Sequence, residues 1–335
     1  MTKKVIIISI TLFVFGAAVG WCAHMPAKAS PVTFLRENPA DYKFIDPVLL
    51  LQVPEDTTTP QFQSLKKDIS SYITTATAQH KVTNVSVYFR QLNQDRWVGI
   101  NAEENYAPAS MFKVISLIAF LRQAQWNPTL LSANVTVATG GINADAHQDY
   151  YPPADPIRVG DTYSSQELLS HMIVDSDNNA SFLVDQLTSK NTLDKTYSDL
   201  GIPNPNNTSS IDFVSPHTYS RIFRSLYNGA YLSDSISEQA LELMSKTTFT
   251  QGLVAGVPAG TVVSHKFGER TVVPATGSTD LTIHELHDCG IVYAPGDPYL
   301  LCIMTKGTNF PSLEKIINDI SAITWTSIQG LSSNK

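Results

Sequence analysis

The order of predicted elements indicates an α+β fold, in which both ends of the chain build an antiparallel sheet and a helical lobe is inserted between them. Strand patterns occur near residues 82–100 and return near 260–305. The stretch between them, roughly 120–250, has mainly helical periodicity with Pro- and Asn-rich loops. A helix is predicted before the first strands and another after the last, and both can pack on the sheet.

The composition is that of a globular chain with a substantial core. Of the 335 residues, 43% are hydrophobic, and such a chain can bury a large apolar interior. The formal net charge is −7 and no run of Lys or Arg occurs, so we expect no nucleic-acid partner. The length suits two small domains or one large composite domain, and we expect a monomer.

The N-terminus, residues 1–29, has the pattern of a signal peptide or an N-terminal membrane anchor. Lys3 and Lys4 precede an apolar stretch at 5–23, and Ala27-Lys28-Ala29 is typical of a cleavage site. The apolar stretch is long for a signal peptide and just long enough to span a bilayer, so cleavage and anchoring stay open. In either case we expect the rest of the chain to be exported, either secreted or anchored at the outer side of the cytoplasmic membrane.

Residues 30–59 are predicted to be a linker or an irregular arm, and residues 60–335 to be the folded domain. The arm carries several prolines and ends in Glu55-Asp56-Thr57-Thr58-Thr59, a composition typical of loops. Within it, Val48-Leu49-Leu50-Leu51 is apolar and is predicted to be a short packing segment.

The first part of the domain predicts a helix, a strand pair and a second helix. Amphipathic periodicity predicts a helix over 61–78, and β-rich segments predict strands over 82–92 and 96–100. Pro108 disfavours helix at the residue before it, so a helix is predicted to begin one or two residues after this proline. The residues that follow are apolar almost all round as far as Leu121, which is typical of a buried helix.

Caps and loops divide the middle of the domain, and strands return near its end. Ser164 and Glu167 have the spacing of a capping box, and Pro216 suits the first turn of a further helix. The loop at 201–207 is too rich in Pro and Asn to be regular. The elements predicted at the end are strands over Gly260–Phe267, Thr271–Val273, His287–Tyr293 and Tyr299–Thr305, and a helix over Pro311–Ile323.

Two of the three cysteines, Cys289 and Cys302, flank a predicted hairpin. If Tyr293 pairs with Pro298, the two cysteines face each other across the strands. A disulfide suits an exported protein, and a pair of buried free thiols is the alternative. The cysteine spacing is not that of a metal site.

Ser110 and Lys113 are the first candidates for catalysis. At this spacing on a helix, their side chains lie on one face, one turn apart. Burial lowers the pKa of a lysine because it disfavours the charged form. A neutral Lys113 can take the proton of the Ser110 hydroxyl, which then becomes a nucleophile. The alternative is an exposed helix that carries these two residues by chance.

Two further short motifs offer groups for a cleft. A loop between helices can aim the Ser176 hydroxyl and the Asn178 amide at a substrate, although Ser-Asp-Asn is equally suited to capping a helix. On a strand, Lys266 can attract a substrate carboxylate, and Gly268 allows a substrate backbone to approach closely. Taken alone, Lys266 is more typical of an ordinary lysine on a strand.

The three motifs in this order resemble the signature set of penicillin-recognising serine enzymes: Ser110-Met111-Phe112-Lys113, then Ser176-Asp177-Asn178, then Lys266-Phe267-Gly268. The chain is similar to the class A β-lactamase-like family over roughly residues 60–330. The segments Val254–Gly260 and His287–Tyr293 also look like parts of that family. The resemblance implies a three-layer α/β/α fold of the β-lactamase/transpeptidase type, with no metal or organic cofactor.

The resemblance implies three catalytic residues. Ser110 would be the acylated nucleophile, and Lys113 would be its base, directly or through water. Ser176 would pass a proton to the leaving nitrogen.

Four further residues would bind the substrate. Asn178 would hold the substrate amide. Lys266 would attract the substrate carboxylate, and Gly268 would let the substrate backbone approach the strand closely. The backbone amides of Ser110 and Glu269 would form the oxyanion hole.

The sequence departs from the family pattern at two places. No Glu-x-x-Leu-Asn segment, which activates the deacylating water in the hydrolytic members, occurs between Ser176 and Lys266. Asp199 lies near the expected place, but a helix-end or loop aspartate is the more ordinary interpretation. Phe267 replaces the Thr or Ser whose hydroxyl helps to hold the substrate carboxylate. Arg270 would compensate if its side chain entered the cleft, and a solvated strand arginine is the alternative.

These observations predict an exported serine acyl-hydrolase that attacks a β-lactam or a related amide through an acyl-enzyme on Ser110, with slow deacylation. The alternatives are a D-alanyl-D-alanine carboxypeptidase and a catalytically silent module that binds peptidoglycan. The expected partner is therefore a small β-lactam or a cell-wall peptide. Metal binding at His284 and His287 is not expected, because residues three apart in an extended segment point to opposite faces.

Overall fold

The computed structural model describes residues 33–36, 42–52, 62–94, 96–140, 148, 150–273 and 282–332. The predicted signal peptide or anchor at 1–29 lies outside these residues. Across the described ranges, the search for a helix long and apolar enough to cross a membrane found none.

The described residues contain nine strands and eight α-helices. The strands are β1 (Thr33–Arg36), β2 (Val48–Gln52), β3 (Asn84–Gln91), β4 (Arg96–Ile100), β5 (Asn134–Thr136), β6 (Thr162–Ser164), β7 (Val263–Val272), β8 (Ile283–Val292) and β9 (Tyr299–Gly307). The helices are α1 (Gln63–Ala78), α2 (Lys113–Trp126), α3 (Ser165–Ile173), α4 (Asn178–Leu187), α5 (Lys190–Leu200), α6 (Pro216–Tyr227), α7 (Asp234–Met244) and α8 (Phe310–Ser332).

A five-stranded antiparallel sheet forms the centre of the fold, with the strand order β4-β3-β9-β8-β7. Two of its strands come from the start of the domain and three from its end, with α2 to α7 between them in sequence. The predicted sheet built from both ends of the chain, with an inserted helical lobe, is therefore confirmed.

Two hydrophobic layers pack on opposite faces of the sheet. Side chains of a strand alternate between its faces, so Tyr88 and Cys302 pack against the helical lobe, whereas Phe89 and Ile303 pack on the other side. The second layer also contains Leu65 of α1 and Ile317 of α8. This is the three-layer α/β/α arrangement that the resemblance implies.

Some elements differ from the sequence-based expectation in extent. The strands predicted at Gly260–Phe267 and Thr271–Val273 are one continuous strand, β7, because its pairing with β8 runs unbroken through Gly268. The last helix, α8, extends well beyond Ile323. The loop at 201–207, predicted to be irregular, contains a short 3₁₀ turn at Pro205–Asn207.

The segment predicted to be a linker or irregular arm is partly regular. Its strands β1 and β2 pair as an antiparallel hairpin. Phe44 and Ile45 are buried in the core of the helical lobe. The Glu238 carboxylate of α7 accepts hydrogen bonds from the backbone N–H groups of Lys43, Phe44 and Ile45 at 2.7, 2.7 and 3.0 Å. These bonds attach the segment to the lobe, a long-range contact that local composition does not reveal.

The hairpin at the end of the sheet has the predicted register. Val292 pairs with Tyr299, and Cys289 lies opposite Cys302. The structure joins these two cysteines in a disulfide, one of the two states that the sequence leaves open.

Candidate active site

A short 3₁₀ turn, Ala109–Phe112, presents Ser110 and leads directly into α2. Ala109 has a left-handed backbone with φ of 48°, a conformation that costs a non-glycine residue about 1–2 kcal/mol. The turn is held from two sides. The Met111 N–H donates to the Pro108 carbonyl at 3.0 Å, and the Tyr219 hydroxyl donates to the Met111 carbonyl at 2.7 Å. These bonds hold the strained turn that presents the serine.

Strand β7 lies directly against this turn. A Cβ atom at Gly268 would come within 2.6 Å of the Pro108 carbonyl oxygen and 2.9 Å of the Met111 Cγ. Only a residue without a side chain permits that approach. The close contact with the serine turn therefore explains why residue 268 is a glycine.

Lys113, the first residue of α2, lies buried at the centre of the site. Its Nζ donates to Ser110 Oγ at 3.1 Å, to Ser176 Oγ at 3.2 Å and to Asn178 Oδ1 at 2.5 Å, and it also contacts the Ser176 carbonyl. Burial lowers the pKa of Lys113 to about 7, and nearby carboxylates, Asp177 foremost, oppose this shift. A substantial fraction of this lysine is therefore neutral near neutral pH.

Ser176 and Asn178 enter the site from the loop between α3 and α4. Ser176 is fully buried and has a left-handed backbone with φ of 59°. The Asp177 carboxylate caps α4 by accepting from the N–H groups of Asn179 and Ala180 at 2.7 and 3.0 Å. The interpretation of Ser-Asp-Asn as a helix cap is thus confirmed for Asp177. The aspartate caps the helix, and the cap aims its two neighbours at Lys113.

Lys266 of β7 completes the cluster from the sheet side. Its Nζ donates to Ser176 Oγ at 2.8 Å, so this hydroxyl lies between two lysines. Complete burial, and next the charge of Lys113, hold the pKa of Lys266 well below its usual range. The same Nζ lies 4.3 Å from the centre of the Phe267 ring.

An open cavity of about 440 Å³ borders these groups. Among the described residues, those that line it come from the serine turn, the start of α4, the outer part of β7 and one loop position. They are Ala109, Ser110, Gln148, Asn178, Glu269, Arg270 and Thr271. The structure therefore brings Ser110, Lys113, Ser176, Asn178, Lys266 and Gly268 together at one site beside a cavity.

Sequence reasoning missed one lining residue and undervalued another. Gln148 belongs to no motif, and no local sequence signal indicates that it faces the cavity. Arg270, for which a solvated strand position is the alternative, lines the cavity. The period-two alternation of a continuous strand through Lys266 and Gly268 would have placed Arg270 on the same face.

The two departures from the family pattern have clear structural consequences. The Phe267 ring stacks on Phe249 at a centroid distance of 4.3 Å, in a buried aromatic cluster. Asp199 accepts from Lys195 at 2.8 Å and from the Tyr231 hydroxyl at 3.1 Å, on the outer surface of the lobe. Neither side chain lines the cavity that borders Ser110.

No group of three or more residues that could hold a metal ion was found among the described residues. The two histidines of β8 have separate partners. His284 Nδ1 lies 3.1 Å from the Thr271 hydroxyl, whereas His287 accepts from the Thr305 N–H and lies 3.1 Å from the Ala107 carbonyl.

Comparison with solved structures identifies the fold. A variant of PBP-A in an acyl-enzyme complex with penicillin G shares 22% identity with this chain at a TM-score of 0.64, covering 83% of this chain and all of the other. The TLA-1 extended-spectrum β-lactamase shares 21% identity at a TM-score of 0.66, covering 80% and 99%. A β-lactamase from Chitinophaga pinensis shares 21% at 0.63, covering 78% and 99%.

Comparison with family models assigns the chain more directly. A search of curated proteins gives no match. The model of the Beta-lactamase enzyme family matches residues 64–328, which include all three motifs and every strand of the central sheet. The chain therefore belongs to this family and has its β-lactamase-like serine hydrolase fold.

Proposed function

We propose that this protein is an exported serine acyl-hydrolase that forms an acyl-enzyme on Ser110 from a β-lactam or a related cell-wall amide and releases the acyl group slowly. One observation carries the proposal. The buried Nζ of Lys113 lies within hydrogen-bond distance of both the Ser110 and the Ser176 hydroxyls.

In the proposed acylation, neutral Lys113 takes the proton of the Ser110 hydroxyl as Oγ attacks the carbonyl carbon of the substrate. The carbonyl oxygen becomes an oxyanion, which the backbone N–H groups of Ser110 and Glu269 stabilise. Asn178 already accepts from Lys113, and its amide borders the cavity where it can bind the substrate amide.

The tetrahedral intermediate then collapses, and the carbon–nitrogen bond breaks. Ser176 gives its proton to the leaving nitrogen and is reprotonated by Lys113, which carries the proton taken from Ser110 and contacts Ser176 Oγ. The acyl group stays on Ser110 as an ester, and the amine leaves.

The residues that face the cavity support slow deacylation. Hydrolysis of the ester needs a base beside the attacking water. Among the described lining residues, Glu269 is the one carboxylate, and its Oε1 accepts the Tyr151 N–H at 3.1 Å. Asp199, the other candidate, is engaged by Lys195 and Tyr231 away from the cavity.

A D-alanyl-D-alanine carboxypeptidase is the second candidate, because it needs the same acylation groups. The similarity in fold to PBP-A, solved as an acyl-enzyme with penicillin G, supports this alternative. A silent peptidoglycan-binding module is disfavoured by the contacts of Lys113, since a binding surface does not require a buried lysine between two serine hydroxyls.

Export is part of the proposal and is supported by the basic and apolar pattern of residues 1–29. The protein would then be secreted or held at the outer side of the cytoplasmic membrane. Both cell-wall peptides and β-lactams are met there.

The test is to incubate the full-length protein with benzylpenicillin and follow its intact mass over time. We expect an adduct that persists after free penicillin is removed, and no adduct in Ser110→Ala. A transient adduct with accumulating hydrolysed penicillin would contradict slow deacylation. Absence of both adduct and product would contradict penicillin recognition. In parallel, release of D-alanine from an acyl-D-alanyl-D-alanine peptide would favour the carboxypeptidase.

A further inference from the structure

We propose that Glu285 and His287 of β8 are positioning residues for acylation, because they hold both backbone polar groups of Ala107 and thereby the turn that presents Ser110. The described residues that line the cavity beside Ser110 do not include either side chain, so the two act on the nucleophile through the backbone. This inference rests on the proposed function. It adds two residues outside the three motifs on which the rate of acylation depends.

The segment before the serine turn needs support from outside itself. Ala109 has a left-handed backbone with φ of 48°, which is unfavourable for a residue with a side chain. Pro108 has no N–H to donate, so Ala107 carries the last backbone N–H before Ala109. Strained backbone persists only where the surrounding structure holds it. The contacts of Ala107 therefore contribute directly to holding the turn.

Both polar groups of Ala107 are held by β8. Its N–H donates to Glu285 Oε2 at 3.2 Å, and its carbonyl oxygen lies 3.1 Å from His287 Nε2. The two side chains are two residues apart, so they lie on one face of the strand. On β7, Gly268 is directly opposite His287 and lies against the same turn. Ala107 and the two side chains are buried, where an unpaired polar group is costly.

The partners of His287 assign its hydrogen to Nε2. The Thr305 N–H of β9 donates to Nδ1 at 3.1 Å, so Nδ1 carries no hydrogen. A carbonyl oxygen can only accept, so Nε2 donates to Ala107. In this arrangement the imidazole is neutral, and it connects β9 to the segment before Ser110.

Glu285 is held in its charged form in spite of its burial. Burial opposes the charge, but the hydrogen bond from His287 and the charge of Lys306 outweigh it and hold the pKa of Glu285 below its usual range. His287 Nε2 lies 3.3 Å from Oε2, and Lys306 Nζ lies 3.7 Å from Oε1. Lys306 also pairs with Asp212. A charged carboxylate is the stronger acceptor, which strengthens its bond to the Ala107 N–H.

The experiment separates the two contacts of His287. His287→Asn places an amide near the position of Nδ1, where it can accept from Thr305 but does not reach Ala107. His287→Gln places an amide near the position of Nε2, where it can donate to Ala107 but offers no acceptor to Thr305. Adduct formation by the full-length protein is followed by intact mass over a range of benzylpenicillin concentrations. This separates the limiting acylation rate constant from the half-saturation concentration.

The two histidine variants should differ in rate. We expect His287→Asn to lower the limiting rate constant about tenfold or more and to change the half-saturation concentration less than about twofold, because a misplaced nucleophile slows the step without altering binding. We expect His287→Gln to stay within about threefold of the unmodified protein. The control is Ile317→Val, which removes a buried carbon from the layer on the opposite face of the sheet. It should lower stability and leave both kinetic parameters unchanged.

A second pair of variants tests Glu285 and does not depend on how well the histidine variants fold. Glu285→Gln keeps an oxygen acceptor for the Ala107 N–H, whereas Glu285→Leu removes it. We therefore expect Glu285→Leu alone to lower the limiting rate constant about tenfold.

Equal slowing of the two members of a pair, slowing of neither, or an effect confined to the half-saturation concentration would overturn the positioning role while leaving the acyl-enzyme intact. Absence of any adduct in the unmodified protein would overturn the proposed function and this inference with it.

Discussion

At the scale of single residues, the site depends on a lysine whose surroundings change its chemistry. An ordinary lysine has a pKa near 10.5, whereas burial brings that of Lys113 to about 7. Its Nζ nevertheless keeps oxygen partners on Ser110, Ser176 and Asn178, and these contacts hold its position in the site. Left-handed backbone at Ala109 and Ser176 adds local strain where the two hydroxyls are presented.

The pKa of Lys113 predicts how acylation depends on pH. The neutral amine is the proposed base, so the acylation rate should rise as the pH increases through about 7 and level off above it. Lys113→Arg should be slow at all pH values without this inflection, because an arginine stays charged. The measurement is the rate of penicillin adduct formation between about pH 5.5 and 9.

The control for this pH profile is Lys315→Arg. Lys315 is an exposed lysine of α8 that pairs with Asp319, so this substitution should leave the profile unchanged. A flat profile in the unmodified protein, or an inflection that survives in Lys113→Arg, would count against Lys113 as the base.

At the scale of elements, the two faces of β7 contribute to different parts of the structure, the candidate active site and a buried aromatic cluster. One of its faces carries Lys266, Gly268 and Arg270 toward the serine turn. The other carries Phe267 into a cluster in which it stacks on Phe249 and meets Tyr151 edge to face. Phe267, which stands where the family has Thr or Ser, therefore serves to pack the edge strand. Without that hydroxyl, other groups must bind the substrate carboxylate.

This packing predicts a stability effect. Phe267→Ala should lower the free energy of unfolding by about 3–5 kcal/mol, because it removes a buried ring from a filled cluster. Urea denaturation measures the change. Val273→Ala, at an exposed position just after β7, is the matched truncation and should change stability by less than about 0.5 kcal/mol. A loss below about 1 kcal/mol in Phe267→Ala would show that the cluster is not packed as described.

Local sequence signals were sufficient for most elements. The capping box of Ser164 and Glu167 is present, and Pro216 begins α6. The register that places Cys289 opposite Cys302 follows from the hairpin pattern. What could not be predicted depends on contacts between distant segments: the Glu238 carboxylate that holds residues 43–45, and the Gln148 side chain that faces the cavity. Neither has a local periodic signature.

At the scale of the whole molecule, the site exists because three distant parts of the chain meet between the sheet and the helical lobe. Ser110 and Lys113 lie at the start of α2, Ser176 and Asn178 come from the lobe, and Lys266 comes from the edge strand. Each motif is weak alone, and the fold makes them one cluster. The family resemblance could indicate this assembly, whereas composition and periodicity could predict only the layers.

The central claim is that this cluster loads an acyl group onto Ser110. The most direct measurement is mass-spectrometric peptide mapping of the full-length protein after treatment with benzylpenicillin. We predict the penicilloyl group on the peptide that contains Ser110 and its loss in Ser110→Ala. We predict its retention in Ser116→Ala, which changes a buried serine of α2. A penicilloyl group on another residue, or one that persists in Ser110→Ala, would contradict the account.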